Sequence, residues 1–177
     1  MEKELEVTLG KIHIKDKKYL IDDVLDLPPG IKGSERENIK NKLLANHDLN
    51  FAGGFLRHFP DRIYYNPNCT IVPGYEEETY FKYLVHELGH LSHCKIFGRE
   101  RYNLVDKEFA EGFAVYLAEK LVKSKFNLEL PGEDSSREFL AYQFKKDLKK
   151  NNINSQTQLK NFLKNNFNFT HFNNPKM

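Results

Sequence analysis

The stretch His86-Glu87-Leu88-Gly89-His90 decides how this chain is read. On an α-helix, residues four apart stand one turn above each other on the same face, so His86 and His90 bring two imidazoles to one place. Two imidazoles at that spacing suit a zinc ion, and Glu87 between them is placed to act as a base. Three fixed residues also occur by chance, and the plainer reading is a surface helix with two solvated histidines. The surroundings favour the metal. Tyr80, Phe81, Leu84, Val85, Leu88 and Leu91 set the pair among apolar side chains. Leu84, Leu88 and Leu91 repeat at helical spacing and are expected to pack inward. A glycine in a helix interior costs about 1 kcal/mol relative to alanine. Gly89 therefore points to another element packed closely on the helix, or to room needed near a metal.

A catalytic zinc keeps one position for water and takes a third protein ligand. Downstream, Phe109, Phe113, Tyr116 and Leu117 form a helical apolar stripe, with Glu108 and Glu111 three residues apart beside it. A glutamate against an apolar face is seldom buried unless it is paired or binds a metal. Two carboxylates near a helix start are equally well suited to the helix dipole. Spacing alone leaves Glu108 and Glu111 both open as the ligand. His93 follows His86 by seven residues, about 10 Å along a helix at 1.5 Å per residue. That is too far for the same compact site, so His93 is expected beside the ligands, in a cleft, or in solvent. Cys94 is expected to fill core space.

His86-Glu87-Leu88-Gly89-His90, followed some twenty residues later by Ala110-Glu111-Gly112-Phe113-Ala114-Val115-Tyr116, resembles the gluzincin class of zinc metallopeptidases. Aminopeptidase-like members of that class commonly read N-E-G-F-A-x-Y at the second motif. The resemblance covers roughly residues 60 to 122. It implies Glu111, directly before Gly-Phe-Ala, as third ligand beside His86 and His90, with Glu87 as general base. It implies an α+β, zincin-like fold: a small mixed sheet whose edge strand borders the cleft, a metal-binding helix, a second glutamate-bearing helix and further C-terminal helices. The chain departs from the aminopeptidases. Twenty residues separate His90 from Glu111, slightly more than they show; their glycine-rich exopeptidase motif is missing, and the chain is far shorter. The small single-domain (minigluzincin-like) members, some held as inactive proenzymes, are closer in size. The metzincin pattern H-E-x-x-H-x-x-G-x-x-H is not met, since His93 stands at its glycine and Ile96 at its last histidine.

The activity the resemblance implies is endopeptidase-like hydrolysis of a peptide or protein substrate. One catalytic Zn2+ would activate a water, and Glu87 would take its proton and pass it to the departing amine. A second donor to the oxyanion is sought among Tyr116, Tyr102, His93 and Arg101, with Tyr116 better suited to packing. Glu108, and after it Asp106, are the expected acceptors for the ligands' other ring nitrogens. A weakly active or latent zincin-like binding module and a zinc-dependent amidase would use the same constellation, although a structural metal site has no need of the base at Glu87.

The chain has 177 residues, enough for one domain with a sizeable core, and a formal net charge of +2. Residues 1–167 are expected as that single domain, with 168–177 as a flexible or cleft-docking tail in which His171 is a candidate fourth zinc ligand. Lys145, Lys146, Lys149 and Lys150 make a local positive region without the interleaved aromatics of a nucleic-acid surface, so no nucleic-acid partner is expected. Two cysteines, Cys69 and Cys94, fit a reduced compartment as well as a disulfide. The charged start Met1-Glu2-Lys3-Glu4 has no signal-like apolar run, and no window nears 18 apolar residues. A cytoplasmic protein with no membrane partner is expected; the oligomeric state is not read from the sequence.

Leu5, Val7 and Leu9, then Ile12 and Ile14, alternate and read as a hairpin or two strands. Leu27-Pro28-Pro29-Gly30 is a break, and Ser34 with Glu37 is a capping-box start for a helix over residues 34–44. Residues 50–59, with Gly53-Gly54, read as loop or strand. Arg62-Ile63-Tyr64-Tyr65 and Thr70-Ile71-Val72 read as strands around an Asn66-Pro67-Asn68 turn, and residues 64–72 are the expected cleft edge. The first motif helix should follow Glu76-Glu77-Glu78 and stop at Gly98, and the second should reach about Lys123. Helices capped by Ser135 or Ser136, and over residues 157–167, complete the chain.

Overall fold

In the structure, a computed structural model, residues 9–16, 34, 37–38, 53–54, 61–65, 72–98, 100–128 and 135–166 are described. Strands β1 (His13–Asp16), β2 (Gly53–Gly54) and β3 (Arg62–Tyr65) precede four helices: α1 (Glu76–Phe97), α2 (Lys107–Phe126), α3 (Ser135–Lys150) and α4 (Gln156–Asn165). A 3-10 turn, Arg101–Leu104, joins α1 to α2. The architecture is α+β, as expected.

The helix ends follow local chemistry. Glu76, Glu77 and Glu78 fill the first turn of α1, and Lys95 the last, both matched to the helix dipole. Gly98 ends α1 at φ 93°, a conformation open to glycine, and its N–H bonds the Cys94 carbonyl. The Asp106 carboxylate caps α2 by accepting from the Phe109 N–H at 3.1 Å. Asn127 stops α2 in the left-handed region, at φ 55°. α4 starts with a full capping box, the Ser155 hydroxyl on the Gln158 N–H and the Gln158 side chain on the Ser155 N–H. Ser34, Glu37 and Asn38 are helical; the rest of the helix expected there lies outside the described residues.

The sheet has the order β1-β3-β2. β1 runs parallel to β3, with His13 opposite Arg62, and β2 runs antiparallel, with Gly53 opposite Tyr65. β1 pairs with distant β3, and residues 1–8, which hold most of the first half of the expected hairpin or pair of strands, lie outside the described residues. One expectation changes. Tyr64 and Tyr65, expected at the cleft edge, belong to the middle strand, and the edges among the described residues are β1 and β2. The middle position explains why Ile63 and Tyr64 are both fully buried: a strand flanked on both sides and covered on its faces has no solvent side. Residues 66–71, with the expected turn and most of the Thr70-Val72 strand, lie outside the described set.

α1 is the central element. Leu91, with half-buried Leu88, packs on Leu9 and Ile63 from the sheet side, and the Lys95 ammonium donates to the Leu9 carbonyl. On its other side, Val85 and Ile96 join Phe109, Phe113 and Leu117 of α2. α3 and α4 close that core with Phe144, Leu148, Leu159, Phe162 and Leu163. The Phe144 ring lies 5.5 Å from both Phe109 and Phe113 and 6.1 Å from Phe162, tying three helices together. Full burial of each such side chain stabilises the fold by about 1.5–3 kcal/mol. Coverage on two sides is why apolar residues on α1 are not confined to the Leu84-Leu88-Leu91 stripe; Leu84 is only half-buried. Among the described residues, no helix is long and apolar enough to cross a membrane.

Candidate metal centre

α1 and α2 run antiparallel, with the Lys125 ammonium near the end of α2 3.1 Å from the Glu77 carboxylate near the start of α1. They come into close contact at Gly89, where an added Cβ would stand 3.0 Å from the Ala114 Cα. This is the close packing that a glycine inside the motif helix implied. Glu111 lies one turn before Ala114, so the contact delivers its carboxylate to the face that carries His86 and His90.

The three side chains converge. His86 Nε2 is 3.1 Å from His90 Nε2. Glu111 Oε2 is 3.3 Å from His86 Nε2, and its Oε1 is 3.4 Å from His90 Nε2. One donor atom from each residue fits within 4.8 Å of the others. The histidine side chains are each 12 % exposed and that of Glu111 is 24 % exposed, so the cluster is largely buried yet not sealed. Two imidazoles and one carboxylate aimed at a common point form a cluster capable of coordinating a metal ion, and the nitrogen–oxygen donor set suits zinc.

Electrostatics bind the cluster together. Burial pushes the Glu111 carboxyl up, but hydrogen bonds to His86 and His90 and the charges of both rings outweigh it and hold it well below the usual carboxylate range. Burial pulls His90 down, but the Glu111 hydrogen bond and the Glu87 and Glu111 charges prevail, so its net shift is upward; Arg137 at the start of α3 opposes them. Glu87 is buried, 8 % exposed, and near enough to act on His90.

The other candidates separate clearly. Glu108 is exposed on the first turn of α2, and Asp106 is engaged in capping that helix. The Tyr102 hydroxyl, rather than either acid, stands 3.3 Å from His90 Nδ1. Tyr102 is one of the four oxyanion candidates. Tyr116 packs at a tilt against Phe144, ring centroids 5.3 Å apart, the packing role expected of it. The Arg101 guanidinium lies 5.0 Å from the centroid of the Phe97 ring. His93 is fully buried rather than solvated, among the rings of Phe97, Tyr102, Phe109 and Phe113. Neither of its ring nitrogens has a hydrogen-bond partner, and burial, helped by the His90 charge, lowers its pKa to about 3. Cys94 is buried, as core filling requires. His171 and residues 168–177 lie outside the described residues. A surface cavity lined by Tyr116, Lys120, Leu148, Asn154 and Leu159 includes none of the three cluster residues.

Two neighbours of His90 are not tied to it by spacing. Only the structure sets the Tyr102 hydroxyl beside His90 Nδ1. Arg137 belongs to no motif, and it is the packing of α3 on α2 that brings its charge to bear on His90.

No protein-family model, curated protein or solved structure matches this chain.

Proposed function

We propose that this chain is a zinc-dependent, endopeptidase-like hydrolase in which His86, His90 and Glu111 hold one zinc ion and Glu87 is the general base. The observation that carries the reading is the convergence of the three donor atoms within 4.8 Å on two helices pressed together at Gly89. When bound in such a site, zinc supplies Lewis acidity that makes a water nucleophilic at neutral pH and polarises a carbonyl. The chain's own residues do the rest. Glu87 follows His86 on the same turn, and its buried carboxylate takes a proton from the attacking water at a carboxylate oxygen. The same carboxyl then returns that proton to the amine nitrogen leaving the cleaved peptide bond. Glu111 is held ionised by the two histidines, which suits it to accept a cation and leaves proton transfer to Glu87. The partly exposed Glu111 edge gives a peptide carbonyl a side from which to approach.

The test is Glu87→Gln, assayed with zinc present on an unstructured protein substrate and on mixed-sequence peptides. Zinc binding should persist, and cleavage should fall by about 100- to 10,000-fold, the range for loss of general acid–base catalysis. Undiminished cleavage by that variant would remove Glu87 from the mechanism.

A further inference from the structure

His90 offers its two ring nitrogens to different neighbours. Nε2 faces the cluster, 3.1 Å from His86 Nε2 and 3.4 Å from Glu111 Oε1, while Nδ1 faces the Tyr102 hydroxyl at 3.3 Å. We propose that Tyr102 is the positioning residue of this site: its phenol oxygen accepts the His90 Nδ1–H and so keeps Nε2 free and turned toward Glu111. The proposal rests on the metal-site reading above. A histidine that gives one nitrogen to a metal carries its proton on the other, and that N–H needs an acceptor to fix tautomer and ring rotation. A phenol oxygen can accept it. Being uncharged, it orients the ring without adding negative charge to a site that already holds Glu87 and Glu111.

Tyr102 is itself firmly held. Its N–H donates to the Gly98 carbonyl at 2.9 Å, and its carbonyl accepts from the Val105 N–H at 3.2 Å, fixing the 3-10 turn between the two motif helices. Its ring meets His93 edge-on at 5.3 Å. His93 is wedged in turn by Phe97 at 6.1 Å, Phe109 at 5.9 Å and Phe113 at 5.3 Å. Because neither His93 nitrogen has a hydrogen-bond partner, His93 buttresses the phenol ring without engaging its hydroxyl. The connection between α1 and α2 thus supplies a residue to the site as well as joining its two halves.

The experiment compares wild type, Tyr102→Phe and the surface control Glu108→Gln. Zinc affinity is read by chelator competition, and the His90 ring by 15N–1H imidazole NMR of the zinc-loaded protein. Phenylalanine keeps the ring against His93 and removes only the hydroxyl. Tyr102→Phe should weaken zinc binding by about 10- to 100-fold, the usual range for losing such a partner. It should also speed exchange of the His90 Nδ1–H, with Glu108→Gln like wild type. If wild type binds zinc and Tyr102→Phe binds it within threefold with an unchanged Nδ1–H signal, the role assigned to Tyr102 is wrong while the metal site stands. If wild type binds no zinc, the metal-site reading fails and this proposal falls with it.

Discussion

Gly89 and Ala114 stand backbone to backbone where α1 crosses α2, so close that a Cβ at residue 89 would lie 3.0 Å from the Ala114 Cα and 3.3 Å from its Cβ. His90 follows Gly89 directly, and Glu111 precedes Ala114 by one turn. The distance between the histidines and the carboxylate is therefore tied to a contact that leaves little room for a side chain at residue 89.

Gly89→Ala tests this. Helix propensity alone favours alanine by about 1 kcal/mol. The obstructing atoms belong to a helix backbone, which cannot swing aside as a side chain does, and overpacking of this kind costs about 1–3 kcal/mol. We expect Gly89→Ala to gain nothing in urea unfolding of the metal-free protein, and to weaken zinc binding as the helices part. A variant stabilised by the full helix-propensity gain, with native zinc affinity, would show that the crossing has slack.

His93 makes stability depend on acid. Burial, with the His90 charge, lowers its folded pKa to about 3, below the value of about 6.5 for an unfolded histidine. The unfolded chain then binds more protons, so stability rises with pH between those values and is lost as pH falls through them. His93→Phe keeps a ring among the surrounding rings and removes the proton sink. It should raise stability more at pH 5 than at pH 8, by about 2 kcal/mol for a pKa gap of this size. Equal effects at both pH values, by urea unfolding of the metal-free protein, would mean that His93 is not held neutral.

The cluster has its own pH window in the metal-free protein. Glu111 is held below its unfolded value, so its contribution is present above about pH 4.3 and is lost as pH falls toward its folded value. His90 is raised, so its contribution is complete below about pH 6.5 and is lost as pH rises through its folded value. The stability difference between wild type and Glu111→Gln should therefore peak between about pH 4.3 and 6.5. A difference that grows steadily from pH 6 to 9 would contradict the pairing of Glu111 with the histidines.

Much of the site was legible because helical spacing is a local rule. His86 and His90 had to share a face, and Gly89 had to mark a close crossing, whatever surrounded them. The metal-site helix was legible for the same reason, through its acidic start and its stop at Gly98, whereas the Ser155 cap of α4 was not read and that helix was expected to start at residue 157. What depends on distant partners was not. Nothing local told Arg62–Tyr65 that strands would flank it on both sides and make it the middle of the sheet. His93 shares the histidine face, and only the arrival of Phe109 and Phe113 on α2 makes its place a dry one. The choice of Glu111 over Glu108 needed the resemblance. In the structure the crossing at Ala114 turns one glutamate toward the histidines and leaves the other in solvent.

The central claim is that two histidines and one glutamate hold a zinc ion, and zinc titration of the metal-free protein tests it most directly. Wild type should bind one zinc per chain. Glu111→Ala should lose more affinity than the roughly 10- to 100-fold that loss of an outer hydrogen-bond partner costs, and Glu108→Ala should bind as wild type does. Absence of zinc binding by wild type, or equal affinity in Glu111→Ala, would contradict the account.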